Sequence, residues 1–379
     1  MNPKMAAGAA GAAAIVLGVA ILYTYDAGDP AESAADSLAP GLESDALPTD
    51  YSSITVTNGQ KHTVPLDKII SGGPPPDGIP SIDDPRFAHA GEAGFMSGSD
   101  IVIGLEIGGE TKAYPLSILV WHEIVNDVVG GVPVAVTYCP LCYTSQVFER
   151  TLGGQAVEFG TSGKLYNSNL VMYDRATGTY WSQALGAAIK GELAGQRLDT
   201  VPFDVIRWDD WKEMHQDTVV LTTETGHVRA YDVDPYGGYY TDYSIIFPVD
   251  NAGASSDAMH PKEVILGFEN GGAYKAYKQG DAEDLGAIND VVGDLPVLIV
   301  SEFEGSARGF ERPVVDGQLL EFEYEGPTLA DVQTGSAWDY DGLAVSGPLE
   351  GFSMERLALS PGFWFEWIAF HPDTEVYEP

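Results

Sequence analysis

The chain has 379 residues, long enough for one large or two medium domains. Nineteen basic against fifty-six acidic residues leave a formal charge of −37 and a pI near 4.2, a field that repels phosphate backbones and excludes nucleic-acid binding. A hydrophobic fraction of 44% with 11% aromatics suits a packed core and argues against wholesale disorder. The carboxylate excess reads as a halophile surface: screening acts within about 3 Å in molar salt but only beyond about 30 Å at 0.01 M, so the fold is expected to weaken on dilution. Taken in chain order, the first signal is the apolar run from Ala6 to Tyr23, preceded by Lys4 and followed by Asp26, Asp29 and Glu32. Its length and charge bias predict a membrane anchor over residues 1–26, with the body on the outer side of the cell membrane. A signal peptide, cleaved to leave a secreted protein, is the alternative. Residues 27–50 are small, acidic and Pro-containing, which reads as a flexible tether.

Beyond residue 50 the pattern is β. With 44 Gly and 24 Pro the chain favours turn-rich sheets over helical bundles. GLEIGG and ETKAYPL predict a hairpin about Gly108-Gly109, and PVAVTY, QAVEFG, SNLVMYD and TYWSQ predict further strands. Helical spacing is confined to Leu116–Val125 and to the short aromatic stretches Trp208–His215 and Phe363–Phe370.

The chain also resembles itself. IVIGLEIGGETKAY at 101–114 answers VILGFENGGAYKAY at 264–277, and Asn126-Asp127-Val128-Val129-Gly130 recurs as Asn289-Asp290-Val291-Val292-Gly293 at the same offset of 163. Gly178-Thr179-Tyr180-Trp181 answers Gly335-Ser336-Ala337-Trp338, and Trp211…His215 answers Trp367…His371. A period this long reads as a duplicated domain rather than a solenoid. The expected organisation is a mainly β chain of two pseudo-repeated β-rich domains, sandwich or partly open barrel, with few short helices. The first covers residues 51–249, the linker 250–262, and a second, degenerate domain 263–379.

The cysteines are Cys139 and Cys142, at the end of a predicted strand in VAVTY-CPLC-YTSQVF. Two sulfurs at C-x-x-C spacing can form a short-loop disulfide or bind one metal. A pure staple across so short a loop removes little entropy from the unfolded chain, so redox or metal chemistry is favoured. The second copy has Glu302 and Gly305 near the cysteine positions and Leu285 in place of His122, so Cys139, Cys142 and His122 are absent together. Their joint absence points to a site confined to the first copy. Met172, in LYNSNLVMYD, would complete a soft set with Cys139, Cys142 and His122 suited to copper as Cu(I), and Tyr166, Asn167 and Asn169 mark a pocket beside it. His215 and His371, present in both copies, read as structural.

The ordered set DGIP at 77–80, AYPL at 113–116, WHEIVND at 121–127, VGGVPVAVTYCPLC at 129–142, FGTSGKLYNSNLVMYDRATGTYWSQ at 159–183 and HPDTEVY at 371–377 resembles a widespread family of unknown function, DUF3179, over roughly residues 65–378. The resemblance implies no established activity. Relatives named as candidate selenoproteins imply redox use of the C-x-x-C site, here thiol-based because both positions are Cys. Tyr143 departs from the small residue that often follows the second cysteine in relatives. The leading expectation is therefore an anchored, extracytoplasmic thiol redox protein in which one cysteine is the nucleophile, the other resolves, and His122 acts as base or orienter. A copper-handling module through Cys139, Cys142, His122 and Met172 is the second expectation, and a cell-surface interaction protein with a structural disulfide the third. The partners expected are the membrane and an unidentified thiol, disulfide or small molecule.

Overall fold

Paired glycines at two hairpin corners start both halves of the molecule. Strands Ile101–Ile107 and Glu110–Pro115 pair with Ile107 opposite Glu110, and Gly108 and Gly109 turn the corner at φ 59° and 81°. Left-handed φ at both central residues is what a type I′ hairpin requires, and glycine supplies it without strain. Strands Val264–Asn270 and Ala273–Lys278 do the same about Gly271 and Gly272. The computed structural model describes residues 51, 53–250 and 259–379. The expected anchor, the tether and most of the expected linker lie outside the described residues.

Among the described residues the chain is mainly β, in several sheets of half-barrel arrangement, with four seven-residue α-helices. These are α1 (Leu116–His122), α2 (Trp208–Met214), α3 (Gln279–Leu285) and α4 (Trp364–Phe370). None is long and apolar enough to cross a membrane. Helix α1 is shorter than the expected Leu116–Val125, because Glu123 takes φ 60° and turns the chain into strand Ile124–Val129.

Element order repeats along the chain. After its hairpin and helix, each copy builds an antiparallel meander: Ile124–Val129, Val132–Cys139 and Thr144–Glu149 in the first, and Ala287–Val292, Leu295–Val300 and Arg308–Glu311 in the second. A second meander follows, through Phe159–Tyr166, Asn169–Asp174 and Tyr180–Ser182 in the first copy and Phe322–Glu325, Thr328–Asp331 and Ala337–Trp338 in the second. Each copy closes with a strand, a helix (α2 or α4) and a short strand returning parallel to the opening hairpin.

Side chains repeat as faithfully as strands. Trp181 Nε1 donates to Asp174 and Trp338 Nε1 to Asp331, both at 3.0 Å. Tyr114 and Lys112 both donate to Asp127, as Tyr277 and Lys275 do to Asp290. A Cβ on Gly104 would lie 2.4 Å from the Trp211 ring, and one on Gly267 2.3 Å from Trp367, so both glycines are fixed by the indole packed on them. His215 and His371 pack against those indoles at a tilt of 49°, with ring centres 4.0 and 4.3 Å away.

The copies bury a shared interface built from swapped equivalents. On one side Gln146 Nε2 donates to Ser360 Oγ at 2.7 Å. The strand registers place Arg308 where the first copy has Gln146 and Asp204 where the second has Ser360. There the neutral bond becomes an ion pair: Arg308 donates to Asp204 through Nε at 2.9 Å and Nη2 at 2.7 Å, and Arg356 adds a third bond at 2.6 Å. Burial alone would raise the Asp204 pKa, but Arg356 and Arg308 more than offset it and hold the carboxyl below its ordinary range. The second copy reaches further, placing Phe363 and Phe365 in the apolar cluster that holds both cysteines.

Candidate functional site

The strand Val132–Cys139 ends at the first cysteine, which pairs across the turn with Thr144. Inside the turn the Cys142 amide donates to the Cys139 carbonyl at 3.1 Å, and Tyr143 takes φ 54°. A bulky residue in the left-handed region is strained and persists only where its surroundings hold it. The corresponding loop of the second copy places its left-handed φ, 79°, on Gly305. Both thiols are free and buried, at 1% and 0% exposure. They converge on one acceptor: the Ser168 carbonyl lies 3.2 Å from Cys142 Sγ and 4.0 Å from Cys139 Sγ. Ser168 belongs to a two-residue hairpin turn, with Asn167 at φ 51° and Ser168 itself at φ 63°. The second place of such a turn ordinarily wants glycine.

A buried polar shell surrounds the pair. Asn169 Nδ2 donates to Gln183 Oε1 at 2.8 Å and to Glu366 Oε1 at 3.3 Å. Gln183 Nε2 in turn donates to the Thr144 carbonyl at 3.1 Å and Thr137 Oγ1 at 3.2 Å, tying the shell to the strands on both sides of the cysteines. Glu366 comes from α4 of the second copy, and the Phe363 amide just before that helix donates to the Cys142 carbonyl at 2.8 Å. Burial raises the Glu366 pKa to about 8 against a Thr144 bond that favours the charged form. Burial, then Cys139 and Glu366, also push the Cys142 thiol well above its ordinary range, and the Asn169 side chain partly opposes them. The turn is thus tuned to keep Cys142 a thiol beside a carboxyl that titrates near neutrality.

A tyrosine-rich segment closes the site from above. Tyr239, in the short 3₁₀ helix Gly237–Thr241, donates to the Leu141 carbonyl inside the turn at 2.8 Å. Lys262 sits 3.4 Å from the centre of the Tyr239 ring and donates to Asp242 at 2.7 Å, pinning the segment down. Beside the turn lies a cleft of about 710 Å³ lined by Tyr138 and Tyr143, which bracket the cysteines, and by Tyr231, Asp232, Asp234 and Tyr240.

His122 is buried at the end of α1 and directed to other partners. Its Nδ1–H donates to the Pro80 carbonyl and its Nε2 accepts from Tyr231 Oη, each at 2.7 Å. The carbonyl can only accept, which fixes the tautomer. Burial lowers the His122 pKa to about 4, with His227 and Arg229 acting the same way and the Pro80 bond opposing. Its neighbours are thus Pro80, Tyr231, His227 and Arg229, whereas those of Cys142 are Cys139, Glu366 and Asn169. Met172 is fully buried in the same apolar cluster as both thiols. Among the described residues no group of three or more His, Cys, Asp or Glu is placed to hold a metal ion. Of the residues expected to mark a pocket, Asn169 lies against Cys142. Asn167 Nδ2 donates instead to the Ala369 carbonyl at 3.3 Å, and Tyr166 packs edge-on to Phe370 at 5.5 Å.

Three residues of the shell were not singled out by sequence: Glu366 is a lone acid in the apolar run WFEWIAF, and Ser168 and Gln183 lie unmarked within the block FGTSGKLYNSNLVMYDRATGTYWSQ.

The profile of the family described as "Protein of unknown function (DUF3179)" matches residues 76–374. The chain belongs to this family. No curated protein and no solved structure matches it. The matched span of this DUF3179 member runs across both copies and includes the C-P-L-C turn, the Ser168 turn and Glu366, so all parts of the dithiol shell fall within the family region.

Proposed function

We propose that the chain is a thiol redox protein in which Cys139 and Cys142 cycle between dithiol and disulfide. The observation that carries this reading is the convergence of two free thiols on the Ser168 carbonyl beside the buried carboxyl of Glu366. In the oxidising half-cycle Cys142 attacks a small organic disulfide as its proton passes to Glu366. One thiol of the oxidant leaves and a mixed disulfide forms. Cys139 then displaces the second thiol, so that two protein thiols and one disulfide become one protein disulfide and two free thiols. Burial raises the Cys142 pKa and slows the first step, so the base assigned here is Glu366 rather than His122. Access requires movement of the tyrosine segment that caps the turn. The apolar run at 6–23 would anchor the body outside the cytoplasm, where disulfide partners are plentiful.

A second reading rests on Met172 in the thiol cluster: two thiolates and a thioether form a soft site for Cu(I). Metal analysis of anaerobically purified protein, run beside alkylation with and without bis(2-hydroxyethyl) disulfide, separates the readings. The redox proposal expects metal-free protein that loses two alkylatable thiols and gains an internal disulfide. Stoichiometric copper that blocks alkylation would replace it with the second reading.

A further inference from the structure

The cleft beside the turn carries chemistry that the thiols do not use. Tyr138 and Tyr143 meet nearly at right angles, with ring centres 6.0 Å apart and planes at 82°. Tyr143 and Tyr240 repeat the arrangement at 5.9 Å and 71°. The three electron-rich rings pack edge to face, Tyr143 also stacks on Phe363 at 5.4 Å, and all three line the cleft. Asp234 lies beside them: its Oδ1 accepts from the Tyr236 amide at 2.8 Å and from Tyr240 Oη at 3.4 Å. Burial, together with Asp234, holds the hydroxyls of Tyr138, Tyr143 and Tyr240 above their ordinary range, so the carboxylate is felt by each of them. None of the residues lining the cleft is basic. A fourth tyrosine, Tyr231, is fixed on the wall by its bonds to His122 Nε2 at 2.7 Å and Thr225 Oγ1 at 2.6 Å.

Aromatic rings that line a cleft beside a carboxylate suit a large, weakly hydrated cation, which is drawn both to the π surface left open and to the negative charge. Small inorganic cations gain less there, since they must shed a tight hydration shell. The cleft, at about 710 Å³, is far larger than a trimethylammonium head. Leu116, Ile118 and Val120 add an apolar stretch to a wall that also carries Ser97, Ser99, Asp100 and Thr223, so a short body with polar substituents fits beside the head. The second copy has Ser301 at the register of Tyr138 and Gly305 in the corresponding turn, so the ring cluster belongs to the first copy alone.

We infer that the cleft formed by Tyr138, Tyr143, Tyr240 and Asp234 is a binding site for an organic cation of the quaternary-ammonium class. This site is independent of the thiol proposal, because no step of it passes through a cysteine. The test is calorimetric titration of the full chain in molar KCl with choline and with 3,3-dimethyl-1-butanol, its uncharged isostere. Choline is expected to bind saturably and at least about tenfold more tightly than the isostere. Tyr240→Leu and Asp234→Asn should each weaken choline about three- to tenfold, while Tyr240→Phe, which keeps the ring, should stay within about threefold of the parent. Near-UV circular dichroism checks each variant, and if Tyr240→Leu does not fold, Asp234→Asn decides. Equal binding of choline and its isostere, no saturable heat with choline, or parental affinity in Asp234→Asn would overturn the assignment.

Discussion

Glu123 in the first copy and Gly286 in the second end the same helix, donate to the same carbonyl one turn back, and take φ 60° and 73°. Glycine adopts that conformation freely; glutamate does not, and here its carboxyl is buried as well, with its pKa raised to about 8. The same contrast recurs at Tyr143 against Gly305, and the Asn167-Ser168 turn, with both residues left-handed, belongs to a hairpin that is shorter in the second copy. One scaffold thus exists in a relaxed version and a strained one, and the strained residues gather about the cysteines and the tyrosine cleft. Strain of this kind costs of order 1–3 kcal/mol per residue and persists where the surrounding structure over-determines it. The second copy contributes that support through Phe363, Phe365 and Glu366.

Substitutions that turn one copy into the other test this contrast. The largest effect is expected at the copy interface, where one side is charged and the other neutral. Asp204→Ala leaves Arg356 without its carboxylate and buried Arg308 with only the exposed Asp341, and should cost about 3–5 kcal/mol in urea unfolding. Gln146→Ala, at the neutral equivalent, should cost about 1 kcal/mol. Equal losses would mean that the interface is symmetric in energy as well as in register.

Next comes the pH response. Glu366 and Glu123 have folded pKa values raised to about 8, so they take up protons on folding between about 4.5 and 8, and stability falls as pH rises through that window. His122 and His371 have pKa values lowered to about 4 and about 3, so the stability they contribute is present above about 6.5 and lost as pH falls. Between pH 6.5 and 8 the histidines are neutral in both states and the two carboxyls dominate. Glu366→Gln should therefore remove about half of the decline, ~2 kcal/mol across that window, as each shifted unit is worth about 1.4 kcal/mol. An unchanged slope would show that the carboxyl is ionised throughout.

Glu123→Gly copies the cap of the second half into the first, and strain relief net of glycine's entropy should stabilise the fold by about 1 kcal/mol. Loss of stability would instead assign the Glu123 carboxyl a holding role. The smallest effect is expected for Cys139→Ser and Cys142→Ser, each under about 1 kcal/mol, because a serine hydroxyl can still donate to the Ser168 carbonyl. The second copy builds the same meander with no cysteine. Collapse of the cooperative thermal transition in molar salt would make the pair structural.

Much of the scaffold was legible because it is written twice. The glycine hairpins, the Asn126 and Asn289 blocks and the Trp–His closures mark the repeat along the chain, and period-2 alternation marks the strands. The helix ends were less legible: Leu116–Val125 reads as one apolar stripe, and only the left-handed Glu123 breaks it. Within the site, Cys139 and Cys142 announced themselves by spacing and Asn169 by its block. Glu366 did not, because it arrives from the other copy, 197 residues beyond the Asn169 that it bonds. Long-range pairing of that kind leaves no local pattern. The His122 side chain illustrates the converse, since its absence from the second copy accompanies a tyrosine contact rather than a thiol contact.

The most direct test of the central claim is the redox equilibrium of the cysteine pair itself. The full chain, in molar salt, would be equilibrated across dithiothreitol buffers of increasing oxidation, quenched in acid, and its free thiols alkylated and weighed. The account predicts a single two-electron transition from two alkylated thiols to none, with the fold intact and with the transition absent from Cys142→Ser. Two thiols that stay alkylatable across the whole range in the folded chain would contradict it.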